Sequence, residues 1–308
     1  MATPYDVLII GTGVSGLAAA MYSGRFQLRT AIIGEMTGGT IITTDDVANY
    51  PGFKNISGMD LAERIKEHAL EYKIDLIEEK VTAVVKLKNG LFRATADGKD
   101  YESKTVIFAT GTKWRTLDVP GEKEFLNKGV HYCALCDGAF YQDKAVAVIG
   151  GSDSAAKDAL VLTQYASKVF MIYRKDKIRA EPINLQRVLS DKKITVITNT
   201  NVTEIKGDAD VKKIMLDKPF NGKKELALDA VFVAVGHIAL SDLAKNLGVK
   251  LNDKGEIIID RQAKTNVPGI FAAGDVVDTN FKQAITGVAE GVLASYAAYS
   301  FIGENSGK

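Results

Sequence analysis

Two thiols stand three residues apart in Cys133-Ala134-Leu135-Cys136, and the chain has no other cysteine. At that spacing they can close a small disulfide ring and exchange an electron pair, or supply half of a zinc site. Zinc needs two further ligands, and the histidines, His68, His131 and His237, are scattered singly. A redox dithiol is therefore the better reading, with two inert packing thiols as the plain alternative. Asp137 follows at once. A carboxylate there could carry protons to and from a thiolate or merely stabilise the turn before Gly138, and the residues alone do not choose. The histidines and Trp114 are read as structural.

A second kind of chemistry lies in the glycine turns. Gly11, Gly13 and Gly16 follow an apolar run, Tyr5 to Ile10, and open a helix-favouring stretch from Leu17. The first glycine permits the turn, the second lets the backbone approach a pyrophosphate, and the third lets helix and strand pack closely. The helix start offers free N–H groups and positive dipole to the phosphates. Glu35 stands just past the next strand, Thr30 to Ile33, where a ribose hydroxyl needs an acceptor.

The pattern returns. Ala145 to Ile149 reads as a strand, Gly150-Gly151-Ser152-Asp153-Ser154-Ala155 as the turn, Ala156 to Tyr165 as a helix and Lys168 to Tyr173 as the next strand. Ser152 and Ala155 replace the second and third glycines. At the spacing that separates Gly11 from Glu35, Gly150 is followed by Arg174, then Lys175, Lys177 and Arg179. Cations suit a ribose 2′-phosphate where an acid suits a free ribose, so NADPH is favoured over NADH; a solvated basic strand end is the alternative. Further on, Gly274-Asp275 ends another apolar strand, where the carboxylate could accept bonds from a sugar-alcohol chain or cap the next helix.

The elements that must position these groups fit the composition. At 308 residues and 46% hydrophobic content the chain suits two ordinary cores, and 28 Gly against 6 Pro suits βα turns. Its 39 Lys and Arg against 38 Asp and Glu give no field for nucleic acid or anionic membrane. Two cysteines exclude a disulfide-stapled secreted domain. No apolar run reads as a membrane helix, and the start lacks a cationic signal segment, so a cytoplasmic protein is expected. Val106 to Gly111 and Val231 to Gly236 each read as a closing strand. Val81 to Lys86 and Val202 to Ile205 read as small antiparallel excursions, and Ile257 to Asp260 as an extended stretch. Gln283 to Tyr299 reads as a long closing helix. Linkers are expected at Lys113 to Glu122 and Gly236 to Asp242, with one α/β domain inserted in another.

The assembled motifs resemble one family: the low-molecular-weight, bacterial and archaeal type of thioredoxin reductase. The resemblance spans almost the whole chain. It rests on Gly38-Gly39 with Thr43-Thr44-Asp45-Asp46-Val47-Ala48-Asn49-Tyr50-Pro51-Gly52, on Ala109-Thr110-Gly111, and on Tyr132-Cys133-Ala134-Leu135-Cys136-Asp137-Gly138-Ala139. Gly150 to Ala155, Gly269 to Asp275 and Gln283-Ala284 complete it in order.

The resemblance implies two Rossmann-like domains of three-layer ββα type. Residues 1–115 and 243–308 would hold FAD, and residues 116–242 would hold NAD(P)H and carry the dithiol. FAD would meet Gly11, Gly13, Ser15, Gly16, Glu35, Gly38, Gly39, Thr40, Asn49, Thr110, Gly111, Asp275, Lys282, Gln283 and Ala284. NADPH would meet Gly150, Gly151, Ser152, Asp153, Ser154, Arg174, Lys175 and Arg179. Cys136 would face the flavin, Cys133 would attack the disulfide of thioredoxin or a thioredoxin-like protein, and Asp137 would serve as acid–base partner. The inserted domain would rotate about the two linkers, and the chain would be a homodimer. Thr40, Leu135 and Lys282 depart from the family's usual glutamine, threonine and arginine. Ser152, Tyr173 and Lys175 depart from its glycine, histidine and arginine at the nicotinamide site, which keeps NADH or reduced ferredoxin open as donor. A flavin-binding redox sensor without turnover is the reading from a different class.

Overall fold

The computed structural model describes residues 3–44 and 47–305; Asp45 and Asp46 of the Thr43 to Gly52 stretch lie outside them. Contacts divide the chain into one unit of Met1–Lys113 with Ile238–Lys308, and another of Trp114–His237.

Strand β1 (Tyr5–Ile10) turns through Gly11 into helix α1 (Val14–Arg25) and returns as β2 (Thr30–Ile33), parallel to β1 with Ile9 opposite Ile32. From Val7 and from Ala31 onward the strands are apolar without alternation, because both faces of the sheet are covered there. Helix α2 (Gly58–Leu70) starts where Ser57 Oγ accepts the Asp60 N–H at 3.0 Å, and it buries Leu61, Ala62 and Ala69. Strand β3 (Ile74–Ile77) extends the parallel sheet beyond β2. An antiparallel meander follows: β4 (Val81–Lys86), β5 (Phe92–Ala96) and β6 (Lys99–Phe108). In β5 the alternation is clean, with Phe92, Ala94 and Ala96 buried. The ten residues of β6 serve twice, pairing with β5 at the start and running parallel beside β1 at the end. The short strand β7 (Thr112–Trp114) leads into the inserted unit.

That unit runs through β8 (Val130–His131), α3 (Ala134–Asp137), a 3₁₀ turn at Gly138–Tyr141, β9 (Ala145–Ile149), α4 (Asp153–Leu162), β10 (Lys168–Ile172), α5 (Pro182–Ser190) and β11 (Ile194–Ile197). The meander β12 (Val202–Gly207), β13 (Val211–Phe220) and β14 (Lys223–Ala227) precedes β15 (Ala230–Val233). The parallel strands lie in the order β11-β10-β9-β15-β8. One face of the sheet packs Ile149, Ile172 and Val231 against Ile205, Ile214 and Leu216 of the meander. The other packs Val146, Val148 and Met171 against Ala155, Ala159 and Leu162 of α4. Meander, sheet and helices make the three layers.

The chain leaves the unit through β16 (His237–Ala239), which pairs with β7. A single turn α6 (Asp242–Lys245) follows, and β17 (Ile270–Ala272) joins β6 in parallel. Ile257 to Asp260 is no strand: only Ile257 pairs, in isolated bridges to Leu251 and Val277. Helix α7 (Ala284–Asn305) runs beyond the expected Tyr299. By length and composition alone it is apolar enough to cross a membrane, but its packing gives that character another cause. It buries Gly287, Gly291, Ala294, Ser295, Ala297 and Ala298. At Gly291 a side chain would strike the Ser15 carbonyl of α1, so α7 is a core helix laid backbone to backbone on α1.

Candidate functional site

Cys133 and Cys136 form a disulfide in the inserted unit. Cys133, in extended conformation, caps the single turn α3, and its Sγ accepts the Cys136 N–H at 3.1 Å. A bond donated to that sulfur favours the thiolate once the pair is reduced. Cys133 is half-buried and Cys136 exposed. Gly138 continues the chain close under α4, where a side chain would press on Leu162 and Tyr165.

Asp137 does not cap the turn that follows it. Its Oδ2 lies 3.1 Å from Nδ1 of His131, whose Nε2 is 2.7 Å from the Tyr141 hydroxyl. Burial lowers the imidazole pKa against the pull of Asp137, and burial first, then Asp137, pushes Tyr141 up to about 12. Nothing in the sequence marks His131 as more than structural, yet the fold brings it to the residue beside the dithiol. Glu122 was likewise missed, at the end of an expected linker. Its buried carboxylate accepts from the Leu117 N–H at 2.8 Å, the Asp118 N–H at 2.7 Å and the Tyr132 hydroxyl at 2.7 Å, tying that segment to the residue before Cys133.

In the other unit, Gly11 takes φ +112°, and a Cβ there would fall on the Ala109 carbonyl. Gly13 precedes α1 without a side-chain cap, so no side chain claims the leading N–H groups. The Gly38 N–H bonds the Thr12 carbonyl at 2.8 Å, and Gly39, at φ +67°, sits so close that a Cβ would come within 2.9 Å of Gly13 Cα. Thr12 Oγ1 is buried with no partner. Asn49 Nδ2 donates to Gln283 Oε1 at 3.0 Å, just before Ala284 opens α7. Ser15 faces Gly274 and Gly287 in tight contact. The half-buried Asp275 carboxylate makes no hydrogen bond among the described residues. An uncapped helix start, an orphaned hydroxyl and an unpaired carboxylate fit a flavin nucleotide.

Other expected contacts have work of their own. Lys282 Nζ holds the Asp275 and Val277 carbonyls at 2.7 and 2.6 Å and Glu256 at 2.8 Å. The exposed Glu35 pairs with Lys80 at 3.3 Å. The Thr40 carbonyl accepts from Thr43 Oγ1 at 2.8 Å. Thr110 Oγ1 donates to the Leu240 carbonyl at 2.7 Å, and the Gly111 carbonyl takes the Leu240 N–H at 3.0 Å.

The second turn differs from the first. Ser152 caps α4 with its own hydroxyl, accepting the Ala155 N–H at 3.4 Å. Asp153 is turned to Asn184 and the Glu181 N–H, both at 2.9 Å, and to Lys157 at 3.2 Å. Burial would raise its pKa, but those bonds and Lys157 hold it below the usual carboxylate range. Tyr173 packs its ring under Gly151, its hydroxyl buried without a partner. Ser154, Arg174, Lys175 and Arg179 are exposed, and the Arg179 N–H bonds the Gly151 carbonyl at 2.7 Å. None of these three cations, nor Lys177, forms an ion pair among the described residues. Four unpaired cations beside a βα turn fit a phosphate.

Residues 5–291 match the family pattern described as pyridine nucleotide-disulphide oxidoreductase. A thioredoxin reductase of Treponema pallidum is 40% identical over 305 residues, covering 98% of each chain. The chain belongs to this family, within its thioredoxin reductase branch. Among solved structures, thioredoxin reductase of Lactococcus lactis superposes with a TM-score of 0.93 at 36% identity, over 97% of this chain and 99% of that one. A bifunctional thioredoxin reductase/thioredoxin of Mycobacterium leprae is 38% identical over 99% of this chain and 67% of its own length. As a pyridine nucleotide-disulphide oxidoreductase the chain is a flavoprotein enzyme that works with a nicotinamide, on two Rossmann-type domains.

Proposed function

We propose that the chain reduces thioredoxin with NADPH as donor, FAD as its flavin and Cys133–Cys136 as the exchange disulfide. The observation that carries this reading is a closed Cys133–Cys136 pair beside Asp137 in a chain that also holds two dinucleotide turns. FAD, when bound, supplies two-electron chemistry between nicotinamide and disulfide. Gly11, Gly13 and Gly16 would admit its pyrophosphate, Gly38, Gly39 and Thr40 would line the same turn, and Asp275 would bond its sugar-alcohol chain. Asn49, Gln283 and Ala284 would border the ring.

The two domains divide the labour, residues 1–115 with 243–308 for FAD and 116–242 for the nicotinamide and dithiol. Arg174, Lys175 and Arg179 would hold the 2′-phosphate that distinguishes NADPH. Once reduced, Cys133 attacks one sulfur of the thioredoxin disulfide, forming a mixed disulfide and releasing a thiolate. Cys136 then attacks Cys133, which restores the internal disulfide and releases the second thiolate, so one electron pair has passed. The Cys136 N–H steadies the Cys133 thiolate, and Asp137 exchanges the proton. A relative whose name joins thioredoxin reductase to thioredoxin supports that acceptor. The enzyme works in the cytoplasm as a homodimer, where the exposed Leu293, Tyr296 and Tyr299 of α7 supply an apolar surface for such a contact.

Anaerobic titration of the flavin-loaded protein with NADPH, NADH and reduced ferredoxin, followed by addition of oxidised thioredoxin, tests the reading. NADPH at micromolar concentration should bleach the flavin, and thioredoxin should restore its colour. Bleaching only by another donor, or bleaching that thioredoxin does not reverse, would overturn it.

A further inference from the structure

His131 ends β8 with a side chain only 5% exposed. It stacks on Phe232 at 5.3 Å between centroids, and Tyr141 meets it edge-on at 5.4 Å. A phenylalanine would fill that space without burying two polar nitrogens. Both nitrogens instead meet titratable partners, Nε2 the Tyr141 hydroxyl at 2.7 Å and Nδ1 the Asp137 carboxylate at 3.1 Å. The second approach is close but not aligned as a full hydrogen bond, so Nδ1 has no other satisfaction in its buried place.

Two lone pairs facing each other at 3.1 Å would leave the buried Nδ1 unsatisfied and repelled by the partly exposed Asp137 carboxylate. One proton must therefore lie between Nδ1 and Oδ2. A neutral ring with its proton on Nδ1 leaves Nε2 to accept from Tyr141, whose hydroxyl burial keeps protonated. All three groups are then satisfied by one arrangement.

We propose that His131 is a positioning residue for Asp137, restraining Oδ2 through Nδ1–H and leaving Oδ1 to serve the neighbouring dithiol, while Tyr141 fixes the tautomer of the ring. This rests on reading Asp137 as the proton-exchanging group of the dithiol. The groups that face the ring are Asp137 from α3 and Tyr141 from the 3₁₀ turn, with Phe232 from β15. Asp210 and Asp229 act on Tyr141 in turn, and α4, packed against α3, carries Asp158.

Side-chain ¹⁵N NMR of the oxidised holoenzyme reads the proton directly, since only three histidines contribute signals and His131→Asn identifies one of them. The expected result is a neutral His131 protonated at Nδ1, and Tyr141→Phe should disturb that state. The matching kinetic test compares His131→Asn, whose amide N–H stands where Nδ1–H was, with His131→Phe. The asparagine variant should keep most of the thioredoxin-reducing rate and the wild-type pH profile. The phenylalanine variant should lose about tenfold, the scale expected when a proton-transfer group loses its orientation, and shift the profile, with NADPH-driven flavin bleaching unchanged in both. A ring protonated at Nε2, or a His131→Phe enzyme with wild-type rate and profile, would overturn the proposal. If His131→Phe does not fold, the NMR tautomer and the asparagine variant decide it. A wild-type enzyme inactive on thioredoxin that still shows Nδ1 protonation would remove the proposed function and leave the pairing standing.

Discussion

On the proposed reading of the nicotinamide site, removing Arg174 and Arg179 together should abolish a preference for the 2′-phosphate. Both side chains are exposed and free of carboxylate partners among the described residues, so their charge is available to a ligand and their loss unpairs nothing. At about 4 Å a unit charge pair is worth about 1 kcal/mol in water, and a phosphate carries about −1.5 to −2. Screening over a Debye length of about 10 Å at 0.1 M salt leaves most of this. Each arginine thus contributes about 1.5 kcal/mol, close to a factor of ten. The double alanine variant should raise KM for NADPH about a hundredfold and leave KM for NADH unchanged, with kcat preserved for both. Wild-type KM for NADPH should also climb with ionic strength, while that for NADH should not. Steady-state reduction of thioredoxin with each coenzyme measures all of this. Equal changes for the two coenzymes, or less than a threefold change for NADPH, would refute the assignment of this cluster.

Two further outcomes follow from buried carboxylates. Glu122→Ala leaves two backbone N–H groups and the Tyr132 hydroxyl without their acceptor, at about 1–3 kcal/mol each. A marked fall in the thermal midpoint is expected in calorimetry; a midpoint within a degree of wild type would contradict the contact geometry. Asp158 reaches solvent at its edge, yet burial raises its pKa from 3.8 to about 7. The folded chain then holds a proton that the unfolded chain has lost, so this group's contribution falls as pH rises from about 4 to about 7. Asp158→Asn should therefore be more stable than wild type at pH 8, with the advantage vanishing near pH 4. An unchanged difference across that range in thermal melts would count against it.

The doubly wound plan was legible because β1, β2, β9 and β10 are covered on both faces and so are apolar along most of their length, without alternation, and because each glycine turn sits between strand and helix in sequence. The disulfide was legible for the same local reason. Helix α4 starts three residues before the expected Ala156, because Ser152 caps it ahead of Asp153, whereas the alanines that favour helix begin only at Ala155. Ile257 to Asp260 carries strand residues but lacks a paired neighbour along its length, and propensity without a partner does not make a strand. The network of His131, Asp137 and Tyr141 left no periodic trace: its elements follow one another within residues 130–141, but a two-residue strand, one helical turn and a 3₁₀ turn are each too short to show a period. Lys282 and Glu35 carry charges suited to a cofactor, but Lys282 is held by the nearby Asp275 and Val277 carbonyls and by Glu256 from another loop, and Glu35 by Lys80 beyond β3, pairings that no local pattern marks.

The most direct measurement of the central claim is a thiol count on the flavin-loaded protein. Under anaerobic conditions, a slight excess of NADPH followed by an alkylating agent and mass spectrometry should show two added groups, on Cys133 and Cys136, and none without NADPH. A flavin that bleaches while the Cys133–Cys136 disulfide stays closed would contradict the account.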